Sequence, residues 1–391
     1  MSFECASAAA CGDGYRCVDR ACVPACVPAP LTEVTELAVG DDHGCALTSA
    51  NRLYCWGSND SGQVGAGVGR AFPYATPIAL AGGAAPRSIV AGARHSCALS
   101  DAGVQCWGDN RVNQLGVFTE GVVRLDQPTH VALFDAAAVG ALSPGSFHTC
   151  ALEAGQVYCV GAAQLTGVET MVPDDEVRRG YVVRGDTGEL LDGVIALAAG
   201  LSHTCATTSD ALWCWGEAPA ALVGLQPPAE YSVATRIAPL AGAITAVVSG
   251  DDHSCYASGA QVTCLGDNSL GQAVPGGDLE IAAELPLDFG AVVTSVTARR
   301  THSCALADGV ACWGDNFYGE SGSGPDEHGR YRLEAMPGVP FAGATAVRAG
   351  GYHTCVVADG IAWCVGRNDQ GQLGDGSFVE RDQPVAVSTC E

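Results

Sequence analysis

In "HGCALTSANRLYCWG", residues 43–57, a histidine stands two residues before a cysteine, and a second cysteine directly precedes Trp-Gly. Those residue types at that spacing support three chemistries. Residues i and i+2 of a strand share a face, so His43, Cys45 and Cys55 could make a His-Cys-Cys metal site. A thiol near an imidazole could be reactive. Two cysteines opposed across a hairpin could close a disulfide, because opposed Cα atoms in an antiparallel non-hydrogen-bonded pair are about 4.5 Å apart.

The unit recurs seven times, at His43, His95, His148, His203, His253, His302 and His353. Seven identical zinc sites, each short of a fourth protein ligand, would be unusual. The disulfide is the expected use, and no metal or other cofactor is expected. The hairpin register pairs Cys45–Cys55, Cys97–Cys106, Cys150–Cys159, Cys205–Cys214, Cys255–Cys264, Cys304–Cys312 and Cys355–Cys364. Each closes a short loop worth at most about 2–3 kcal/mol.

The elements that must hold these residues read as β-structure. Short apolar segments such as "TELAVG", "RSIVAG" and "TAVVSG" precede the histidines. "CAL", a turn of Gly, Asp, Ser or Asn, and a return strand such as "VQCWG" follow. Polar loops such as "SNDSGQVGAG" and "RNDQGQLGDG" then lead to edge segments such as "TPIAL". Successive histidines lie 49 to 55 residues apart, the period of a propeller blade or a solenoid turn.

The pattern G-x-x-H-[ST]-C-A-L…V-x-C-W-G-x-N-x-x-G-Q-L-G-x-G resembles the regulator of chromosome condensation repeat, in its bacterial, secreted, cysteine-paired form. The likeness spans roughly residues 31–389 and implies an all-β fold, a seven-bladed β-propeller. Arg299 replaces the Gly that precedes the histidine by three in the other six copies, and the third, fifth and seventh copies lack Trp before Gly. The resemblance implies possible guanine-nucleotide exchange, light sensing through interface tryptophans, or inhibition of secreted enzymes. Six scattered Trp give no photoreceptor-like cluster. Trp56, Trp107, Trp215 and Trp313 are expected to pack between blades, and the seven histidines to make a repeated bond from blade to blade, with a functional imidazole ring as the sharper alternative.

Composition narrows the function. The net charge is −24, all 19 basic residues are Arg, and no apolar run approaches the roughly 18 residues of a membrane span. Nucleic acid is opposed by such a surface. Twenty cysteines argue for an oxidising compartment, so a secreted, periplasmic or cell-surface protein with its leader removed is expected. No nucleophile elbow, Walker loop, H-E-x-x-H or dinucleotide fingerprint is present, and no enzyme is expected. A channel-mouth carboxylate site acting on glycans is the alternative.

Residues 1–30 form a cysteine-rich segment ahead of a propeller at 31–391. Cys26–Cys390 would lock the propeller's closure, with Cys5–Cys17 and Cys11–Cys22 pairing the remaining cysteines. The expected role is a monomeric binding scaffold for an extracellular protein or other ligand. Its candidate binding residues are those between Gly and His that vary while their frame repeats: Asp41, Asp42, Arg94, Phe147, Asp251, Asp252, Arg300 and Tyr352. They are expected to project from one face in a ring.

Overall fold

The computed structural model describes residues 15–18, 21–24, 27–134, 138–162, 165–166, 180–182, 187–217, 231–239, 244–275, 280–281, 286–322, 334–335 and 343–390. They form a seven-bladed β-propeller, with antiparallel blades at 34–78, 86–130, 139–181, 196–239, 246–288, 295–335 and 344–386. The first strand of each blade packs against the first strands of its neighbours and lines the central axis. The second and third strands are the Cys-bearing hairpin, and later strands lie outside.

The register puts each pair of hairpin cysteines directly opposite, as in Cys45↔Cys55 and Cys97↔Cys106. Their Cα atoms are 4.0–4.2 Å apart, and all seven pairs are disulfides. The opening stretch therefore holds a staple, not a metal. The Gly after the second cysteine has a positive φ, +95° at Gly57, and a Cβ there would strike the Asp42 carbonyl 2.5 Å away. Only glycine lets the third strand start its bulge while this junction closes over it.

Trp56, Trp107, Trp215 and Trp313 are fully buried, each in the apolar layer shared with the preceding blade. The histidines form a second series of links. His43, His95, His148, His203, His253 and His302 place Nε2 at 2.6–3.0 Å from the hydroxyls of Ser96, Thr149, Thr204, Ser254, Ser303 and Thr354, each in the next blade. The Ser96, Thr149 and Ser303 hydroxyls donate to the carbonyls of Gln63, Gln114 and Gln272, so each accepts its hydrogen bond from histidine Nε2–H. These imidazoles are neutral struts between blades.

The Gly three residues before each histidine is part of that strut. A Cβ at Gly40 would collide with the His43 ring and the Gly92 carbonyl of the next blade. The link from blade seven to blade one differs: Gly44 stands where the other blades carry Ser or Thr, and His353 Nε2 has no hydrogen-bond partner among the described residues. The Trp56 ring fills the space a side chain at Gly44 would need.

Closure is completed on blade one's outer edge. Strand Ser388–Cys390 lies between Pro28–Pro30, antiparallel, and Ala71–Ile78, parallel with Thr389 opposite Ala75. Segments from near both ends of the chain, 28–30 and 388–390, thus join one sheet, while 15–18 and 21–24 pair in a separate two-stranded sheet. Cys390 is disulfide-bonded, and among the described residues no cysteine is free. The expected pairings Cys26–Cys390, Cys5–Cys17 and Cys11–Cys22 lie outside the described residues; the backbone register of the 15–24 hairpin sets positions 17 and 22 opposite each other.

Candidate functional site at the junction face

Each blade turns from its first to its second strand at the residues before the histidine. Backbone bonds tie these junctions together: Asp41 N–H to Ala93 O, Ala93 to Gly145, Ser146 to Gly200, Leu201 to Gly250, Asp251 to Arg300, and Gly351 back to Asp41. All eight candidate residues therefore lie on one ring around the axis at one face.

Blade six breaks the pattern where its Gly is replaced. Arg299 pairs with His302 across a two-residue turn, and Arg300 takes the left-handed conformation at φ 45°. A non-glycine residue held there is strained, a feature concentrated at functional sites. The turn aims two guanidinium groups across the mouth of the axis. Arg299 Nε is 2.9 Å from Asp41 Oδ1, and Arg300 Nε is 3.9 Å from Asp41 Oδ2 and 3.8 Å from Asp251 Oδ2.

An aromatic cluster continues from that charge network. The Arg300 guanidinium lies 4.7 Å from the Tyr352 ring centre, and Arg367 lies 5.5 Å from Tyr318 and 5.6 Å from Tyr352. Tyr318 meets Tyr352 with centroids 5.3 Å apart and Phe317 at 4.9 Å, both edge-on. Phe317 is 67% exposed. Beside Arg367, a polar recess of about 170 Å³ is lined by Asp42, Asp60, Arg94 and Gln370, among others. The surface combines an apolar prominence, two guanidinium groups held by stacking, and a flanking polar recess.

Burial acts to raise the Asp41 carboxyl, but Arg299 and Arg300 outweigh it and hold it below its ordinary value. Asp251 moves the other way: burial, only partly countered by Arg299, pushes it to about 6. Burial also raises Asp42, helped by Asp41, and Asp252, helped by Asp267.

Five of the candidates, Asp41, Asp42, Asp251, Arg300 and Tyr352, join one network, and Arg94 lines the same recess as Asp42. Asp252 is exposed beside Asp267, outside the network. Phe147 is 41% exposed in blade three, apart from the aromatic cluster. Phe317, Tyr318 and Arg367 are not among the candidates. They lie in or beside the Asn-x-x-Gly-Gln loops, whose recurring residues are structural and whose two intervening positions carry the variation.

The loop bearing Phe317 and Tyr318 has its own irregularity. Gln63, Gln114, Gln272 and Gln372 each accept the N–H two residues earlier through Oε1. Blade six has Glu320 there, with Oε2 accepting the Tyr318 N–H at 2.8 Å and Oε1 buried without a partner. Burial, together with Asp315 and Glu380, pushes its carboxyl to about 8. A protonated Glu320 imitates glutamine. Because its folded value exceeds the unfolded one, its stabilisation is full below the ordinary carboxylate range and is lost progressively as pH climbs to about 8. Glu320→Gln should therefore raise stability by at least about 1 kcal/mol more at pH 8 than at pH 6.5. Denaturant titration at the two pH values tests this; an equal effect at both would show that Glu320 does not carry the proton.

Models of the Regulator of chromosome condensation (RCC1) repeat match residues 34–63 and 87–114, and 51–99. The ultraviolet-B receptor UVR8 of Arabidopsis thaliana is 28% identical over 388 residues, covering 92% of this chain and 83% of that protein. The Homo sapiens E3 ubiquitin-protein ligase HERC2 is 27% identical over 374 residues, covering 90% of this chain but only 7% of that much longer protein. Among solved structures, human WBSCR16 is similar with a TM-score of 0.70 at 20% identity, over 86% of this chain and 93% of that one. Yeast RCC1 (Prp20), solved with Kap60, is similar with a TM-score of 0.68 at 20% identity, over 91% and 85%. Identities this low carry the fold and nothing finer. Among the described residues no helix is long and apolar enough to cross a membrane.

Proposed function

We propose that this chain, which carries regulator of chromosome condensation repeats and closes as a seven-bladed propeller, is a non-enzymatic scaffold that docks a protein on its junction face. The observation that carries this reading is the cluster of Phe317, Tyr318 and Tyr352, exposed at its tip and gripped below by Arg300 and Arg367. Aromatic and arginine side chains on a rigid base lose little entropy on binding and dominate interface energies. Yeast RCC1 (Prp20), similar in fold, has been solved with Kap60 bound. The disulfides suit work outside a reducing cytosol, in a secreted, periplasmic or cell-surface setting. With a net charge of −24, the preferred partner is basic, so association should slow as salt rises.

The test is affinity capture of extracellular proteins on the immobilised chain, followed by measured binding of the captured partner to variants. Phe317→Ala and Tyr318→Ala should each weaken binding by about 2 kcal/mol, near 30-fold, with little change in melting temperature. Phe147→Ala should have a smaller effect. If Phe147→Ala abolished binding while the blade-six variants bound normally, the docking site would have to move around the ring.

A further inference from the structure

The axis of the propeller encloses a cavity of about 310 Å³ lined by the first strands of all seven blades. Most of the lining repeats small uncharged residues, as expected where seven strands converge. Three charged residues depart from this: Arg299, which is ion-paired with Asp41 at 2.9 Å, and Glu36 and Arg348. The site of Glu36 is occupied in the other blades by Ser88, Ala141, Ala196, Ala246, Ser295 and Ala346. The site of Arg348 is occupied by Ala38, Val90, Ser143, Ala198, Val248 and Thr297. Six uncharged solutions at each level show that blade packing needs neither charge.

Both charges are half-buried, in the adjacent blades one and seven, and face the same cavity. Among the described residues neither has an ionic partner at contact distance, and the attraction between the two across the cavity does not offset their burial. Glu36 Oε1 accepts from the Ser88 hydroxyl at 3.0 Å and the Ile89 N–H at 3.3 Å. Arg348 donates through Nε to Leu37 O at 3.1 Å, and through Nη1 to Ser295 Oγ at 3.2 Å and Val347 O at 2.9 Å, all neutral oxygens. Burial raises the Glu36 carboxyl and lowers the Arg348 guanidinium, so each charge is costly where it stands. A buried ion is tolerated when it is paired and hydrogen-bonded. Here an anion and a cation share a cavity, each oriented by neutral groups and not touching the other.

We propose that the axial cavity binds a small zwitterion, an α-amino acid or a compound of the same charge layout, with its carboxylate on Arg348 and its ammonium on Glu36. A simple anion would meet Glu36, and a simple cation would meet Arg348; only a ligand carrying both charges satisfies the two at once. The Ser143 and Thr297 hydroxyls accept from the Ala199 and Ala349 N–H groups and keep a proton to donate, so they stay available as neutral donors while charge recognition falls to Glu36 and Arg348. At the junction face the mouth of the axis is crossed by the Arg299–Asp41 ion pair, so the cavity is separate from the protein-docking cluster.

Calorimetric titration of the full chain with glycine, and separately with acetate and methylammonium, tests the proposal. Glycine should bind saturably at one site per chain, at least ten-fold tighter than either single-charge probe. Arg348→Met and Glu36→Gln should each weaken glycine binding ten-fold or more while circular dichroism shows an intact propeller. Glutamine can keep the bonds to Ser88 and Ile89, which makes Glu36→Gln the variant expected to fold without loss. No saturable glycine binding, acetate binding as tightly as glycine, or unchanged glycine affinity in a folded Glu36→Gln chain would each overturn it.

Discussion

Lowering the pH from 6.5 towards 4 should unfold this protein cooperatively, with uptake of several protons. His43, His148, His253 and His353 are held at about 3, and His95, His203 and His302 at about 4, against an ordinary 6.5. In every case burial is the main cause. An unfolded chain protonates all seven near pH 6.5, whereas the folded chain protonates none. Stability is therefore fully present above about 6.5 and falls as the pH drops towards the folded values. Each proton contributes about 1.4 kcal/mol per pH unit, so seven give a slope near 10 kcal/mol per unit. Asp251 and Glu320, and to a smaller degree Glu36, Asp42 and Asp252, oppose part of this uptake, because the folded chain binds their protons more readily than the unfolded chain does. Even the remainder is large beside a typical total of about 5–15 kcal/mol. Urea titrations followed by tryptophan fluorescence at pH 7, 6 and 5 measure the slope. Stability that stayed level from pH 7 to 5 would mean that the struts accept protons without breaking.

The same struts explain what could be read from the sequence. His-[ST]-Cys carries the imidazole and, one residue later, the hydroxyl that receives the previous blade's imidazole, so blade linkage was legible as a repeat. The cysteine register was legible for a similar reason: hairpin pairing is local, and a short turn fixes which residues oppose. The ring of candidate residues followed from their shared place between Gly and His. Which members of the ring meet was not legible, because that depends on side-chain reach across blades. Arg300 reaches Tyr352 in the next blade from a turn in which Arg299 pairs directly with His302. Phe147 and Tyr352 look equivalent by position, yet they stand in blades three and seven and have different neighbours.

Phe317 and Tyr318 were hidden in another way. The corresponding positions in the other loops hold Asp60-Ser61, Arg111-Val112, Ser269-Leu270 and Asp369-Gln370. A motif defined by its Asn, Gly and Gln draws attention to the residues that make the loop and away from those the loop displays. Glu36 and Arg348 were obscured by strands that read as short and apolar overall. In a repeat fold, the informative residues are those that depart from the repeat without any need of the frame, and these four are of that kind.

Replacing Cys390 by Ser should destabilise the propeller more than removing any single hairpin disulfide. The hairpin bonds close loops with sequence separations of 8 to 10 residues, worth about 2–3 kcal/mol each. They also hold strands that are already neighbours in a blade. Cys390 belongs to a strand inserted between Pro28–Pro30 and Ala71–Ile78, and its bond is not with any of the fourteen hairpin cysteines. On the expected pairing with Cys26, the bond from Cys390 spans nearly the whole chain. A loop of that length is worth about 5 kcal/mol, at the upper end of disulfide effects. The bond also reinforces the interface where the histidine series is weakest, since His353 finds no hydroxyl in blade one. Blades seven and one are held there by the apolar layer of Leu31, Leu37, Trp56, Val357, Leu373 and Val387, and by the terminal strands. Melting of Cys390→Ser beside Cys205→Ser/Cys214→Ser compares the two losses directly. A smaller effect at Cys390 would mean that these apolar contacts and the paired terminal strands close the ring without the covalent bond.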